Sequence, residues 1–186
     1  MTKSTAKLSK MLDVKSSLLL IVDVQEKLMP VISEQENVIS NIIKLVKFGE
    51  LVNLPVVYTE QYKLGATMSE IKERLFQSEL ILKKEFNCFL NDNFRKQINR
   101  SKISSLIVAG VETHICVSQT ALEAIGQYNV HVVSDAVSSR TRANHTVGIE
   151  RMYQSGVVIT STEMVMFELL KKADTEEFRK TLELVK

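Results

Sequence analysis

The stretch LIVAGVETHICVSQTAL, residues 106–122, begins with the pattern of a β-strand and continues with the pattern of a helix. Its first part is apolar and runs to Gly110, a residue typical of turns. Its second part places Cys116 at the start of a segment with helical spacing of apolar residues. Parallel strands need a crossover connection, usually a helix, so this stretch predicts one unit of a parallel α/β sheet.

The same alternation of short apolar runs and helical segments continues along the chain. The strand candidates are LLLIVDV ending near residue 23, PVVYT near 59, ELILKK at 83, SLIVAG at 110, VHVVSD near 135 and VVIT near 160. The helix candidates between them are NVISNIIKLVKFGELVN, SEIKERLF, NDNFRKQINR, CVSQTALEAIGQ and NHTVGIERMYQS. Strict alternation predicts a three-layer α/β/α, Rossmann-like fold with right-handed crossovers. We expect a six-stranded parallel sheet in the order 3-2-1-4-5-6.

Composition indicates one globular domain. The chain has 186 residues, of which 45% are hydrophobic and 25% are charged. We expect the domain to cover residues 16–186 and a tail to cover residues 1–15, which are rich in Lys and Ser. From the sequence alone, this segment is either a frayed tail or an organelle-targeting signal.

Charge and hydropathy exclude several classes of partner. The net charge is only +2, so nucleic-acid binding is not expected. The apolar run SSLLLIVDV is too short to span a bilayer, so we expect no membrane segment. The N-terminus also lacks the apolar core and cleavage site of a secretory signal. These features predict a cytoplasmic protein with reduced thiols.

Polar residues stand where three predicted strands end. Ligands of such sheets bind beyond the carboxyl ends of the strands, at the point where the strand order reverses. Asp23 ends the first strand, Lys83 and Lys84 end the third, and Cys116 begins the helix after the fourth. Strands one and four are neighbours in the expected order, so Asp23 and Cys116 would face each other across about 5 Å.

This arrangement predicts an activated nucleophile. A thiol at a helix N-terminus meets the positive end of the helix dipole, which favours the thiolate. An adjacent carboxylate can accept the thiol proton, and a lysine can balance the charge. Each residue also has a structural explanation, because cysteines are often buried, an Asp often caps a turn, and strand-edge lysines are usually solvated. Spacing alone leaves both interpretations open.

Three segments carry a family resemblance. LLLIVDVQEKL, ILKKEFNCF and VAGVETHICVSQTALEAIGQYNVHVVSDAVSSR resemble, in order and spacing, the signature regions of the isochorismatase-like cysteine hydrolases. The resemblance extends from about residue 18 to residue 167. TEQY and GIERMYQSGVVITSTEMVMFEL are similar to the small single-domain branch of that family.

The resemblance implies a catalytic triad of Asp23, Lys83 and Cys116. Lys83 and Lys84 stand on opposite faces of a strand, and the family register selects Lys83 for the crevice. The resemblance also implies a cis peptide between Val111 and Glu112 and an oxyanion hole formed by the backbone N–H groups of Glu112 and Cys116. The residues implied for the substrate pocket are Gln25, Leu28, Val111 and Ile115.

The resemblance further implies acyl transfer to sulfur. We expect a hydrolase that acts on a small-molecule amide, carbamoyl compound or ester through a thioester. Homo-oligomers, dimers or larger, are also implied. The alternative is a non-catalytic binding or scaffold protein that keeps the fold with a vestigial site. A redox-sensing thiol is a third hypothesis, and it requires Cys88 to lie near Cys116.

No metal or other cofactor is expected. Metal-binding nicotinamidases of this fold carry an Asp-x-His pair after the second strand, whereas YTEQYKLGAT, residues 58–67, contains no histidine. His114 and Cys116 are close in sequence, but further zinc ligands are not evident. The chain also lacks G-x-G-x-x-G, P-loop, G-x-S-x-G and C-x-x-C patterns.

Overall fold

The computed structural model describes residues 11–186. Its strands are β1 Ser17–Val22, β2 Val56–Gln61, β3 Glu79–Lys83, β4 Ser105–Val111, β5 Asn129–Ser138 and β6 Val158–Thr160. All pairings are parallel and the order is β3-β2-β1-β4-β5-β6. The predicted fold class and strand order are therefore confirmed. β5 continues three residues beyond the predicted end at residue 135.

Helices connect the strands and follow the last one. They are α1 Gln35–Val52, α2 Ser69–Lys72, α3 Asp92–Ser101, α4 Ser118–Ala124, α5 Arg142–Gln154, α6 Thr162–Leu170 and α7 Glu176–Val185. α2 is shorter than predicted, because the chain after it tightens into turns closed by i→i−3 hydrogen bonds, such as Leu75 N–H to Lys72 O. α6 and α7 were not predicted, since only the segments between strands were assigned as helices.

The helices cover both faces of the sheet. β1 is buried along its whole length, as expected for a central parallel strand. One face packs against α1 and α6 and the other against α3, α4 and α5. The strands therefore contribute side chains alternately to two apolar cores, and their polar residues emerge at the strand ends.

The start of the chain is only partly described. Residues 1–10 of the predicted tail lie outside the described residues. From there on, Leu12 is buried in the core, and Val14–Ser16 forms a 3₁₀ turn in which Asp13 accepts the N–H of Lys15. The division into a tail and a single domain stays a prediction. Within residues 11–186, no helix has the length and apolarity needed to span a membrane.

Candidate active site

Asp23 follows β1 directly, and its carboxylate is held on several sides. Its φ of 51° lies in the left-handed region, which Asp tolerates better than most residues. Its N–H lies 3.2 Å from Thr59 Oγ1, and that hydroxyl donates in turn to Asp23 Oδ1 at 2.6 Å. Asp23 is only 1% exposed, so the orientation of its carboxylate is set by the protein and not by water.

Lys83 connects the three predicted catalytic residues. Its Nζ lies 2.6 Å from Asp23 Oδ2 and 3.8 Å from Cys116 Sγ. The same ammonium donates to Gln61 Oε1 at 2.5 Å and to the Glu85 carbonyl at 3.1 Å. Burial opposes the charged form, but the charges of Asp23 and Cys116 outweigh it and raise the pKa of Lys83. The ammonium is therefore a permanent, buried positive charge.

The two neighbouring lysines differ in burial. Lys83 is buried, whereas Lys84 is exposed. A period of two along a strand predicts such a difference, and the choice of Lys83 as the catalytic lysine stays a prediction.

Cys116 lies inside a short π-helical turn, Thr113–Val117, that precedes α4. The sequence placed it at the first position of the helix, so this detail was wrong. A π turn accommodates one more residue per hydrogen-bonded ring than an α-helix, and such turns are frequent at functional sites. The thiol is hydrogen-bonded to Asp23 and lies close to the Lys83 ammonium.

The predicted preference for a thiolate is also corrected. Burial and the negative charge of Asp23 raise the pKa of the Cys116 thiol far above its usual range. Lys83 acts in the opposite direction but does not compensate. A helix dipole acting alone would have lowered this pKa. The resting group is therefore a thiol whose proton faces a carboxylate.

Gly110 allows β1 and β4 to approach at the site. It pairs with Val22 and has a φ of 112°. A Cβ at this position would lie 2.1 Å from the main-chain oxygen of Val22. A side chain would thus separate the two strands whose ends carry Asp23 and Cys116.

A second glycine lets α5 pack against the cysteine turn. A Cβ at Gly148 would lie 3.1 Å from the main chain of His114. Side chains near the same contact also link the turn to its surroundings: Thr113 Oγ1 lies 3.0 Å from His145 Nδ1, and His114 Nδ1 lies 2.9 Å from Ser139 Oγ. The turn is thus held by α5 and by the residue that follows β5.

The Val111–Glu112 peptide is cis, as the resemblance implied. The main-chain oxygen of Glu112 accepts the N–H groups of Ile115 at 3.1 Å and Val117 at 3.2 Å. Its side chain accepts from Arg140 Nε at 2.9 Å. The oxyanion hole formed by the N–H groups of Glu112 and Cys116 stays a prediction.

The residues predicted for the substrate pocket occupy different environments. Gln25 has no exposed surface and ties two segments together, because its Nε2 donates to the carbonyls of Gln61 and Gly65. Val111 is buried in the core, and Leu28 and Ile115 are half-buried against it. Their contact with a substrate stays a prediction.

Sequence reasoning missed Thr59 and Gln61. Thr59 orients Asp23, and Gln61 accepts from Lys83 while its Nε2 donates to the Lys84 carbonyl at 2.8 Å. Both belong to β2, which lies between β1 and β3. Their position at the carboxyl end of that strand was the available signal, but the TEQY segment was examined only for family likeness and metal ligands.

An open cavity of about 700 Å³ adjoins Lys83. Gln61 and Lys83 line it together with segments 60–65 and 82–85. Lys83 therefore connects the two: it lines the cavity, and its Nζ lies 3.8 Å from Cys116 Sγ.

Cys88 differs from Cys116 in its environment. It is fully buried in the same apolar cluster, and its N–H donates to Thr120 Oγ1 at 3.0 Å. Burial raises the pKa of Cys88 to about 11. Both cysteines are free thiols. A redox role for the pair stays a hypothesis.

The described residues contain no group of three or more His, Cys, Asp or Glu side chains arranged to hold a metal ion. In the segment where nicotinamidases carry metal ligands, Glu60 accepts from the N–H and hydroxyl of Thr67 at 2.8 and 2.9 Å. Tyr62 is exposed. The side chains of this segment offer no ligand set for a metal.

Comparisons with known proteins show which family the chain resembles. A model of the isochorismatase domain matches residues 17–164. A secreted isochorismatase effector of Phytophthora sojae is 38% identical over 178 residues, covering 92% of this chain and 85% of that protein. Since this relative is a secreted protein, the cytoplasmic location of the present chain stays a prediction.

Two solved structures are similar over nearly the whole chain. YcaC from Pseudomonas aeruginosa, determined with covalent acrylamide, has a TM-score of 0.88 and 26% identity, covering 95% of this chain and 92% of that chain. YcaC from Escherichia coli, described as an octameric hydrolase of unknown specificity, has a TM-score of 0.88 and 26% identity, covering 98% and 92%. The domain match and these relatives show that the chain belongs to the isochorismatase family.

Proposed function

We propose that the protein is a cysteine-dependent hydrolase of a small-molecule amide, carbamoyl compound or ester. Family membership supports hydrolase activity. The observation that carries the finer proposal is the buried contact of Lys83 Nζ with both Asp23 Oδ2, at 2.6 Å, and Cys116 Sγ, at 3.8 Å. A base, a nucleophile and a fixed positive charge meet at one point, which is the composition of an activated-nucleophile site.

In the first half of the reaction, Asp23 removes the thiol proton while Cys116 attacks the carbonyl carbon. The high pKa of the thiol favours proton transfer during the attack over a preformed thiolate. The carbonyl oxygen becomes negative, and the N–H groups of Glu112 and Cys116 would stabilise it. Collapse of this intermediate breaks the bond to the amine or alcohol, which leaves with the proton held by Asp23.

In the second half, water hydrolyses the thioester. Asp23 accepts a proton from the water as its oxygen attacks the acyl carbon, and the carbon–sulfur bond breaks. The proton returns to the sulfur and the acid product departs. Lys83 pairs with the Asp23 carboxylate whenever that group carries no proton, and its ammonium lies 3.8 Å from the sulfur that becomes the leaving group.

The covalent acrylamide in YcaC from Pseudomonas aeruginosa supports this proposal, because acrylamide forms covalent bonds with nucleophilic groups such as thiols. That adduct belongs to the related protein. For the present chain, it makes reaction with small electrophiles a suitable first assay of Cys116.

The experiment is a screen of small amides, carbamoyl compounds and esters that measures the release of ammonia, alcohol or acid. Cys116→Ala should lose any activity that is found, and Asp23→Asn should lose most of it. Cys88→Ala is the matched control, because it removes a buried thiol outside the triad. Activity that survives in folded Cys116→Ala protein would contradict the cysteine mechanism. No turnover by the wild-type protein across the screen would favour the non-catalytic binding protein.

We further propose that the protein forms homo-oligomers. The related YcaC from Escherichia coli is octameric. Exposed apolar side chains follow one another along and after the edge strand β3, at Leu82, Phe86 and Leu90. An edge strand with apolar neighbours is a common place for association between copies of a chain.

A further inference from the structure

Three lysines surround the cavity beside Lys83. Lys27, Lys63 and Lys84 are exposed and line it. Among residues 11–186, the ammonium groups of these three lysines form no salt bridge. Their positive charges therefore face the cavity without a carboxylate partner from the described part of the chain.

The acidic residues of the cavity are already bonded to protein donors. Glu60 accepts two hydrogen bonds from Thr67 and lies 4.0 Å from Lys72 Nζ. Glu85 accepts from the Lys84 N–H at 3.1 Å and from Asn91 Nδ2 at 3.2 Å. These bonds engage one oxygen of each carboxylate. Four lysines line the cavity against these two glutamates, so the charge facing it is mainly positive.

Tyr62 holds two of the lysines together. The ammonium groups of Lys63 and Lys84 each lie 5.3 Å from the centre of its ring. Each contact is favourable as a cation–π interaction, but two like charges on one ring repel each other. A bound anion near both ammonium groups would offset this repulsion. Lys63 also has a φ of 70°, an uncommon backbone conformation for a residue with a side chain.

We propose that this cavity binds an anionic group of the substrate through Lys63 and Lys84, with Tyr62 packing against the substrate body. The inference rests on the proposed function, since the bound molecule must present its acyl carbon to Cys116. The substrate class is then a small amide, carbamoyl compound or ester that carries a carboxylate or phosphate. Lysine ammonium groups act as point charges and accept either anion.

The first test measures binding of two probes, succinate and inorganic phosphate, by calorimetry. It compares the wild-type protein, Cys116→Ala, and the double variant Lys63→Gln/Lys84→Gln. We expect saturable binding of at least one probe, unchanged in Cys116→Ala and weakened about fivefold or more in the double variant at low ionic strength. The probe that binds more tightly distinguishes a carboxylate site from a phosphate site.

The matched control is Lys96→Gln/Lys172→Gln, which removes two exposed lysines from α3 and from the segment after α6. It changes the net charge equally and should bind the probes like the wild-type protein. Equal affinity of the wild-type protein and the Lys63→Gln/Lys84→Gln variant overturns the proposal, as does the absence of saturable binding of both probes.

The second test connects the cavity to the thiol. Iodoacetate and iodoacetamide alkylate sulfur by the same displacement of iodide but differ in charge. The double variant should slow labelling of Cys116 by iodoacetate about fivefold or more, while its labelling by iodoacetamide stays within about twofold of the wild-type rate. An unchanged ratio of the two rates would show that the lysines do not serve Cys116. If the probes bind but the substrate screen finds no turnover that depends on Cys116, the anion site stands and the proposed function fails.

Discussion

At the scale of single residues, the proposed chemistry depends on the position of one proton and of one buried ion pair. Asp23 faces both a thiol and an ammonium group, and Thr59 fixes the orientation of its carboxylate. The ion pair with Lys83 offsets part of the desolvation penalty of burying the Asp23 carboxylate. In the proposed mechanism, the high pKa of the Cys116 thiol requires a proton acceptor, and Asp23 is assigned that role.

Lys83→Ala should destabilise the fold, because it leaves the Asp23 carboxylate buried without its cation. We expect a loss of about 3–5 kcal/mol in the free energy of unfolding, measured by urea denaturation. Lys84→Ala is the matched comparison, and a change within about 0.5 kcal/mol is expected at this exposed position. Equal losses in the two variants would mean that the buried ion pair contributes nothing specific.

His131 should make stability depend on pH. Both of its ring nitrogens are buried without a hydrogen-bond partner among the described residues. Burial lowers the pKa of His131, although Glu168 opposes this. Below about pH 6.5 the unfolded chain therefore binds a proton that the folded chain resists, and stability falls as the pH drops.

The measurement is the free energy of unfolding at pH 7 and pH 5 for the wild-type protein and His131→Leu. The variant should lose less stability over this interval and be no less stable at pH 7, since an apolar side chain suits the site. His145, whose pKa burial also lowers, should account for part of the remaining pH dependence. An identical pH profile for both proteins would rule out His131 as the cause.

At the scale of elements, the site depends on two close backbone approaches at glycines. Gly110 brings β4 against β1, and Gly148 brings α5 against the π turn that holds Cys116. At each glycine, the missing side chain lets two backbone segments pack closely together. These segments carry the residues of the candidate site.

Gly110→Ala should destabilise the protein by well over about 1 kcal/mol and move the ends of β1 and β4 apart. The added Cβ meets main-chain atoms of Val22, which cannot rotate away. Gly126→Ala is the matched control, because no atom lies within 4 Å of the added Cβ and its φ is not positive. Denaturant unfolding curves should give a clearly lower free energy of unfolding for Gly110→Ala than for Gly126→Ala. Comparable stability of the two would contradict the close approach.

At the scale of the whole molecule, the doubly covered sheet leaves its β3 edge open. Leu82, Phe86 and Leu90 place 55–66% of their surface in solvent beside that edge. A second copy of the chain is the occupant that the octameric relative suggests. Such contacts would also cover part of the cavity wall, because Leu82 lines it.

Light scattering after gel filtration should give a mass that is a multiple of 21.1 kDa for the wild-type protein. Phe86→Ser/Leu90→Ser should shift the mass toward that of one chain. Val147→Ser/Tyr153→Ser, which removes equally exposed apolar side chains from α5, should leave it unchanged. A monomeric wild-type protein would contradict oligomerisation, and an unchanged mass in the β3-edge variant would place the interface elsewhere.

The sequence by itself determined the strands and their order, and it placed Asp23, Lys83 and Cys116 near the ends of neighbouring strands. Alternating strand and helix patterns restrict the topology to a few solutions, and the carboxyl ends of parallel strands share one edge. Asp23, Lys83 and Cys116 could therefore be assigned to one site, and the period of two separated Lys83 from Lys84 once the family register was chosen. These features depend on the spacing of apolar and polar residues along the chain, which can be read from one sequence.

Only the tertiary structure decided the electrostatics and the surroundings of the site. The thiol pKa follows from burial and from Asp23, two influences that the helix dipole alone does not predict. Thr59, Gln61 and the lysines on the Tyr62 ring acquire their roles from contacts between residues far apart in sequence. Desolvation and distance are properties of the packed chain, so no local pattern contains them.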